Sequence, residues 1–155
     1  MLFRSLLIYR WADTDAELTR LAAGTGDAVV GLEFTNPESG ASVLPTLNCG
    51  MHRIVPGRST LPVRRSGNTV YVVFRGEGYT VMDGLRFDWR PGDMFVAPSW
   101  VPVEHHATTP ADLFSTGDSP VLRALGIYRE ETLPAPQRVT GTFQPARPES
   151  MGGAR

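Results

Sequence analysis

Residues Val70–Pro98 read VYVVFRGEGYTVMDGLRFDWRPGDMFVAP. The apolar or alternating runs Thr69–Phe74, Tyr79–Met82, Leu85–Trp89 and Met94–Ala97 are cut by Arg75-Gly76-Glu77-Gly78, by Asp83-Gly84 and by Arg90-Pro91-Gly92-Asp93. Runs this short, bounded by glycine where positive φ is wanted, are the grammar of strands joined by tight turns. The same pattern extends outward in both directions. Val29–Phe34 and Thr46–Val55 precede it, and Val101–His106, Asp112–Ser115 and Val121–Tyr128 follow. Eight or nine strands at near-regular spacing predict an all-β sandwich or barrel.

The two ends differ from this core. Residues 1–27 are expected to form an arm containing one short helix. Thr14 and Glu17 have the spacing of a capping box, Leu18, Leu21 and Ala22 the spacing of one helical face, and Gly24 the character of a stop. The barrel is assigned to 28–131. Residues 132–155, rich in Pro and Gly and poor in aliphatics, are expected to lack order or to drape over a neighbour.

Composition narrows the function classes. With 155 residues, 41% hydrophobic and 20% charged, the chain suits one soluble domain, and no window approaches the roughly 18 apolar residues that span a bilayer. A net charge of −1 leaves no overall footprint for phosphate backbones, so neither a nucleic acid nor a membrane is an expected partner. All fifteen basic residues are arginine, which removes lysine-based covalent catalysis. The single cysteine, Cys49, cannot form an internal disulfide, and a reducing cytoplasm is the expected location. The apolar start, Met1–Trp11, is interrupted by Arg4 and lacks a small-residue cleavage site, so it is read as structure rather than as a secretory signal.

Pro56-Gly57, the strand Val70–Phe74, Gly76-Glu77-Gly78, Arg90-Pro91-Gly92-Asp93 and Met94–Pro98 resemble the two motifs of a cupin in order and spacing. Phe34-Thr35-Asn36-Pro37, Leu44-Pro45-Thr46, Val96–Trp100, Leu113-Phe114, Gly117–Pro120 and Leu125–Glu130 further resemble the gentisate 1,2-dioxygenases, two-cupin proteins that cleave hydroxylated aromatic acids with ferrous iron. The resemblance covers roughly residues 1–131 and implies a single cupin barrel, a double-stranded β-helix or jelly roll, preceded by a short helix. It also implies where a catalytic cupin holds its metal: Val63 and Arg65 occupy the histidine positions of the first motif, Thr69 the carboxylate position, and Val103 the histidine position of the second. This pattern is similar to the metal-free, C-terminal cupin of the family.

Strand parity indicates which side chains share the interior. If Thr69 points inward, so do Tyr71 and Val73; if Val103 does, so does His105, leaving Glu104 and His106 outside. His52 lies where the resemblance places an inward residue near substrate. His52, Tyr71 and His105 are therefore the candidate acid–base groups. Arg65 and Arg64 are candidate ligand forks, with Val63, Val73, Val103 and Trp100 as apolar lining. Arg64-Arg65 also suits a solvated turn after Pro62, and His52 a core histidine bonded to a backbone carbonyl.

Three functions fit these residues. The first is binding of a small aromatic or carboxylate ligand, with metal-independent acid–base chemistry and no cofactor. The second is a non-catalytic partner domain. The third is an Fe(II) ring-cleaving dioxygenase with His52 and His105 as its only countable ligands. A homodimer is expected, with the apolar run Leu2–Tyr9 packing against the second copy.

Overall fold

The computed structural model of the chain describes residues 8–58 and 60–145. Helix α1 (Trp11–Thr25) is followed by β1 (Val29–Phe34), β2 (Asn48–Ile54), β3 (Val63–Arg65), β4 (Thr69–Arg75) and β5 (Gly78–Met82). Then come β6 (Leu85–Trp89), β7 (Met94–Ala97), β8 (Val103–Ala107), β9 (Ala111–Gly117), helix α2 (Ser119–Ala124), β10 (Glu130–Thr132) and β11 (Gly141–Thr142). One sheet runs β1-β2-β9-β4-β7, the other β10-β3-β8-β5-β6-β11. All pairings are antiparallel except β11 on β6. This is the expected all-β jelly roll.

The alternation read from the sequence decides what lies between the sheets. Ile54, Tyr71, Val73, Met82, Trp89 and Leu113 form the interior core. The β5–β6 turn has both Asp83 and Gly84 at positive φ, 50° and 78°, the backbone that a two-residue hairpin with right-handed strand twist requires.

On the outer face of the first sheet, α1 adds a second core in which Leu18, Val30 and Met51 are buried. An ion network pins the helix there. Arg53 Nε donates to Asp112 Oδ1 at 2.8 Å and its Nη2 to Asp15 Oδ1 at 2.5 Å, while Arg75 pairs with the same two carboxylates. Asp112 is fully buried, so two guanidiniums are what make its charge tolerable.

Several expectations are corrected. Thr14 and Glu17 do not cap α1: the helix starts earlier, at Trp11, and Thr14 is buried within it. The aromatic anchors Tyr9 on Phe34 (4.6 Å between centroids) and Trp11 against Phe74 (4.4 Å) set the start, and Gly26 at φ 70° ends the helix in place of Gly24. Val121–Tyr128 is not a strand. Pro120 opens α2, whose backbone suits a proline in the first turn, and Gly126 at φ 71° follows. Arg64 and Arg65 stand on a short strand instead of a turn.

Residues 133–145 also differ from expectation, because they pack on the chain's own barrel. Gln137 is bonded to four residues in two stretches, Val81 and Gly84 in one and Pro102 and Glu104 in the other, and β11 extends the second sheet beside β6. The end of the tail, 146–155, lies outside the described residues, as does most of the Leu2–Tyr9 run expected at a dimer contact. Among the described residues no helix is long and apolar enough to cross a membrane.

Candidate functional site

Strands β2, β4 and β8 bring three of the predicted site residues together inside the barrel. Tyr71 stands 5.0 Å from His105 and 6.1 Å from His52 between ring centroids, and Phe95 stacks on it at 5.1 Å while lying 6.1 Å from His105. Each histidine is held by a hydroxyl that sequence reasoning does not single out. His52 Nε2 is 2.8 Å from Ser115 Oγ, and His105 Nδ1 is 2.8 Å from Thr80 Oγ1, which also accepts from Trp89 Nε1 at 2.9 Å. Parity offers a signal for both, since Ser115 lies opposite Tyr71 and Thr80 opposite His105 in the ladders. The His52 ring lies over Gly31, where an added Cβ would sit 2.8 Å from Nδ1.

Electrostatics keep this cluster uncharged. Burial, reinforced by the Arg65 guanidinium, lowers the His52 imidazole to about 4. Burial, with His52 and Arg65 as lesser causes, lowers His105 to about 3. Burial pushes the Tyr71 phenol up, against the pull of Arg65, so the hydroxyl stays protonated at neutral pH.

The four positions compared with catalytic metal ligands also converge. Val63, Arg65, Thr69 and Val103, together with Tyr71, line one cavity at the barrel mouth, closed by Ala97, Pro98 and Val101. Its volume is about 10 Å³, near the lower limit for a single water and far below the roughly 300 Å³ and more of ordinary ligand sites. Arg65 is tethered rather than free: its Nε donates to Glu130 Oε2 at 2.7 Å, and Glu130 also accepts from the Tyr128 hydroxyl.

No family model matches the chain. It is 41% identical over 143 residues to a 5-aminosalicylate 1,2-dioxygenase of a Comamonas species, covering 87% of this chain and 38% of that one. It is 38% identical over 129 residues to a gentisate 1,2-dioxygenase of a Streptomyces species, covering 78% of this chain and 36% of that one. The crystal structure of the salicylate 1,2-dioxygenase of Pseudaminobacter salicylatoxidans superposes with a TM-score of 0.75 at 39% identity, covering 80% of this chain and 38% of that one. The chain is a cupin related to the gentisate-type dioxygenases. It spans well under half the length of these relatives.

The family resemblance implies ferrous iron, and the donor set of this cupin does not fit it. A non-haem iron site takes two histidines and a carboxylate, or three histidines, on one face of the metal. Here the ligand positions hold two valines, an arginine and a threonine. Of the two interior histidines, His52 has one ring nitrogen bonded to Ser115 and the other over Gly31, and His105 has one bonded to Thr80. The positive charge beside them is already Arg65. Among the described residues no group of three or more His, Cys, Asp or Glu side chains could hold a metal ion.

The remaining predicted residues lie elsewhere in this cupin. Val73 is in the core, away from the mouth cavity. Arg64 turns to the outside, bonded to Glu131 and lying 4.7 Å over the Trp100 ring, so neither it nor Trp100 lines the cavity. Trp100 adopts φ 65° with its N–H bonded to Arg65 O at 2.7 Å, which fixes the turn after Pro98. Glu104 and His106 share the outer face, 2.7 Å apart, as parity requires. A wider groove of about 780 Å³ also lies outside the cluster, between β6, β7 and residues 142–145, with Arg86, Arg90, Asp88, Asp93 and Glu77 of mixed sign on its walls.

Proposed function

We propose that this chain is the metal-free cupin of a gentisate-type ring-cleaving dioxygenase system, and that it acts as a partner domain for a metal-bearing cupin rather than as the seat of oxygen chemistry. The observation that carries this reading is the content of the four converging positions. Val63, Arg65, Thr69 and Val103 supply no metal ligand set, and the space between them is about 10 Å³. A barrel built this way has its outer surface left to act with. A homodimer, or a pair with a metal-bearing cupin chain, is the arrangement this function calls for.

The test is elemental analysis and oxygen uptake on the chain after anaerobic incubation with ferrous iron, using gentisate, salicylate and 5-aminosalicylate. The expected outcome is substoichiometric iron and no oxygen consumption. About one iron per chain with substrate-dependent uptake, both lost in His52→Ala and His105→Ala, would overturn it and establish the dioxygenase alternative.

A second reading, binding of a small aromatic or carboxylate ligand, is favoured by one observation: the interior brings Arg65, Tyr71 and neutral His52 and His105 together. Binding inside the barrel then requires the mouth to widen. Calorimetric titration with aromatic acids distinguishes the two, because the partner-domain reading expects no heat from any of them.

A further inference from the structure

Two neighbouring rows on the outer face of the first sheet hold no charged side chain. Thr116, Val70 and Val96 lie opposite one another in one row across β9, β4 and β7, and Phe114, Val72 and Met94 in the next. Helix α1 packs on the same face over β1 and β2, so Phe74, Met94 and Val96 stand 50%, 68% and 48% exposed. At the α1 end of the face a hollow of about 390 Å³ opens between Trp11, Phe34, Phe74 and Phe114. The charges there are committed to one another: Arg53 and Arg75 pair with Asp15 and Asp112. From β7 to the hollow over β2 the patch spans four strands. At ordinary strand spacing that is a footprint of about 300–400 Å², the size of exposed apolar patch that marks a contact site.

We infer that two copies of the chain meet through this face, sheet against sheet, about a two-fold axis that lies between the sheets and runs over β9 and β4. This rests on the partner-domain reading and gives it a surface. Shape and charge select a second copy as the occupant. Met94 is exposed on the edge strand at one end of the face, and the other end is hollow. With the strand order β2-β9-β4-β7, a half turn sets β7 of each copy above the hollow of the other. Because neither row carries a charge, the face meets its own image without opposing like charges. Facing sheets interdigitate their side chains, and the flexible thioether of methionine suits a knob that must fill an irregular hollow. The patch is nearer the low end of specific interfaces, so association belongs to the micromolar class.

Sedimentation velocity on the full chain across the micromolar range tests it. The wild type is expected to be a dimer at the upper end and to dissociate on dilution. Met94→Glu and Val96→Glu each bury an unpaired carboxylate in the contact and weaken association by about a hundredfold or more. Leu125→Glu, a change at a comparably exposed apolar residue just past α2, leaves association unchanged. Circular dichroism checks that each variant is folded, and if one β7 variant is not, the other decides. A second measurement needs neither: a short bismaleimide is expected to join Met94→Cys chains through the native Cys49, which lines the hollow of the second copy, and to join none once Cys49→Ser is added. A wild type that stays monomeric overturns the dimer, and a dimer unchanged in both glutamate variants overturns the face. Cross-linking that is absent from the dimer, or indifferent to Cys49→Ser, overturns the two-fold arrangement. None of these results touches the partner-domain reading, which stands or falls on iron content and oxygen uptake.

Discussion

The backbone N–H of Gln137 donates to Glu104 Oε2 at 2.8 Å, so a residue of the C-terminal segment is tied to a carboxylate that is 2% exposed on the barrel. The other oxygen of Glu104 meets His106 Nε2 at 2.7 Å, and the Gln137 side chain reaches Val81 O, Pro102 O and the N–H of Gly84. Glu104 is thus the one buried charged group among the several contacts that hold the strap at Gln137.

Removing that acid is expected to release the strap before the barrel unfolds. Glu104→Ala leaves two donors without their acceptor, at a cost of about 2–3 kcal/mol. Limited trypsin digestion followed by mass spectrometry should find cleavage after Arg138 in the variant under conditions where the wild type is intact. Equal protection in the two proteins would show that the strap does not depend on Glu104.

Acid is expected to unfold the protein through its interior histidines. Both have folded values below the unfolded 6.5, at about 4 for His52 and about 3 for His105. Between pH 6.5 and 4 the unfolded chain therefore binds protons that the folded chain refuses. Stability falls as pH drops through that window, by roughly 2–3 kcal/mol for each histidine. His52→Gln should flatten the slope of denaturation midpoint against pH over this range by about half. An unchanged slope would place the titration elsewhere.

Thr80 is expected to matter more than its size suggests. Its hydroxyl accepts from Trp89 and contacts His105 in a fully buried position. Thr80→Val keeps the shape and leaves the indole N–H unpaired, a loss of about 1–3 kcal/mol, whereas Thr80→Ser should recover most of it. Urea unfolding followed by tryptophan fluorescence measures both. If Thr80→Ser loses as much stability as Thr80→Val, or more, the hydrogen bond is not the dominant contribution of this side chain.

A methyl group placed at Gly31 is expected to push on the His52 ring. The added Cβ lies 2.8 Å from Nδ1 at ordinary backbone geometry, so Gly31→Ala should cost about 1–3 kcal/mol and weaken the His52–Ser115 bond. The double variant Gly31→Ala, His52→Ala should recover part of that loss in a thermal melt, and purely additive losses would refute the contact.

Much of the barrel interior is legible in the amino-acid sequence. Period-two alternation puts Tyr71, Val73 and His105 on the inside and Glu104 and His106 outside, because a strand gives each residue only two faces. Thr80 and Ser115 escape notice for a physical reason: small hydroxyl residues carry no hydrophobic signal. Their importance arises from cross-strand partners, Ser115 sitting 44 positions from Tyr71 and Thr80 25 positions from His105. Val121–Tyr128 fails as a strand because a short apolar run has no period of its own to distinguish helix from strand, and Pro120 decides it locally. The Thr14–Glu17 spacing misleads because the aromatic contacts of Tyr9 and Trp11 outweigh a cap. The cavity at Arg65 can be anticipated as a meeting of residues, but its size depends on how Ala97, Pro98 and Val101 close over it.

The two-residue strand β11 runs parallel to β6, with Gly141 opposite Leu85 and Thr142 opposite Arg86, and Phe143 N–H continues the ladder to Arg86 O. An unpaired strand edge is a template on which other chains can polymerise, and here the chain spends its own tail to blunt one. The opposite sheet has no such guard at β7 among the described residues, where Met94 and Val96 are 68% and 48% exposed. A truncation after Thr132 would strip β11 from β6 and so add a newly uncovered edge to the one already open at β7.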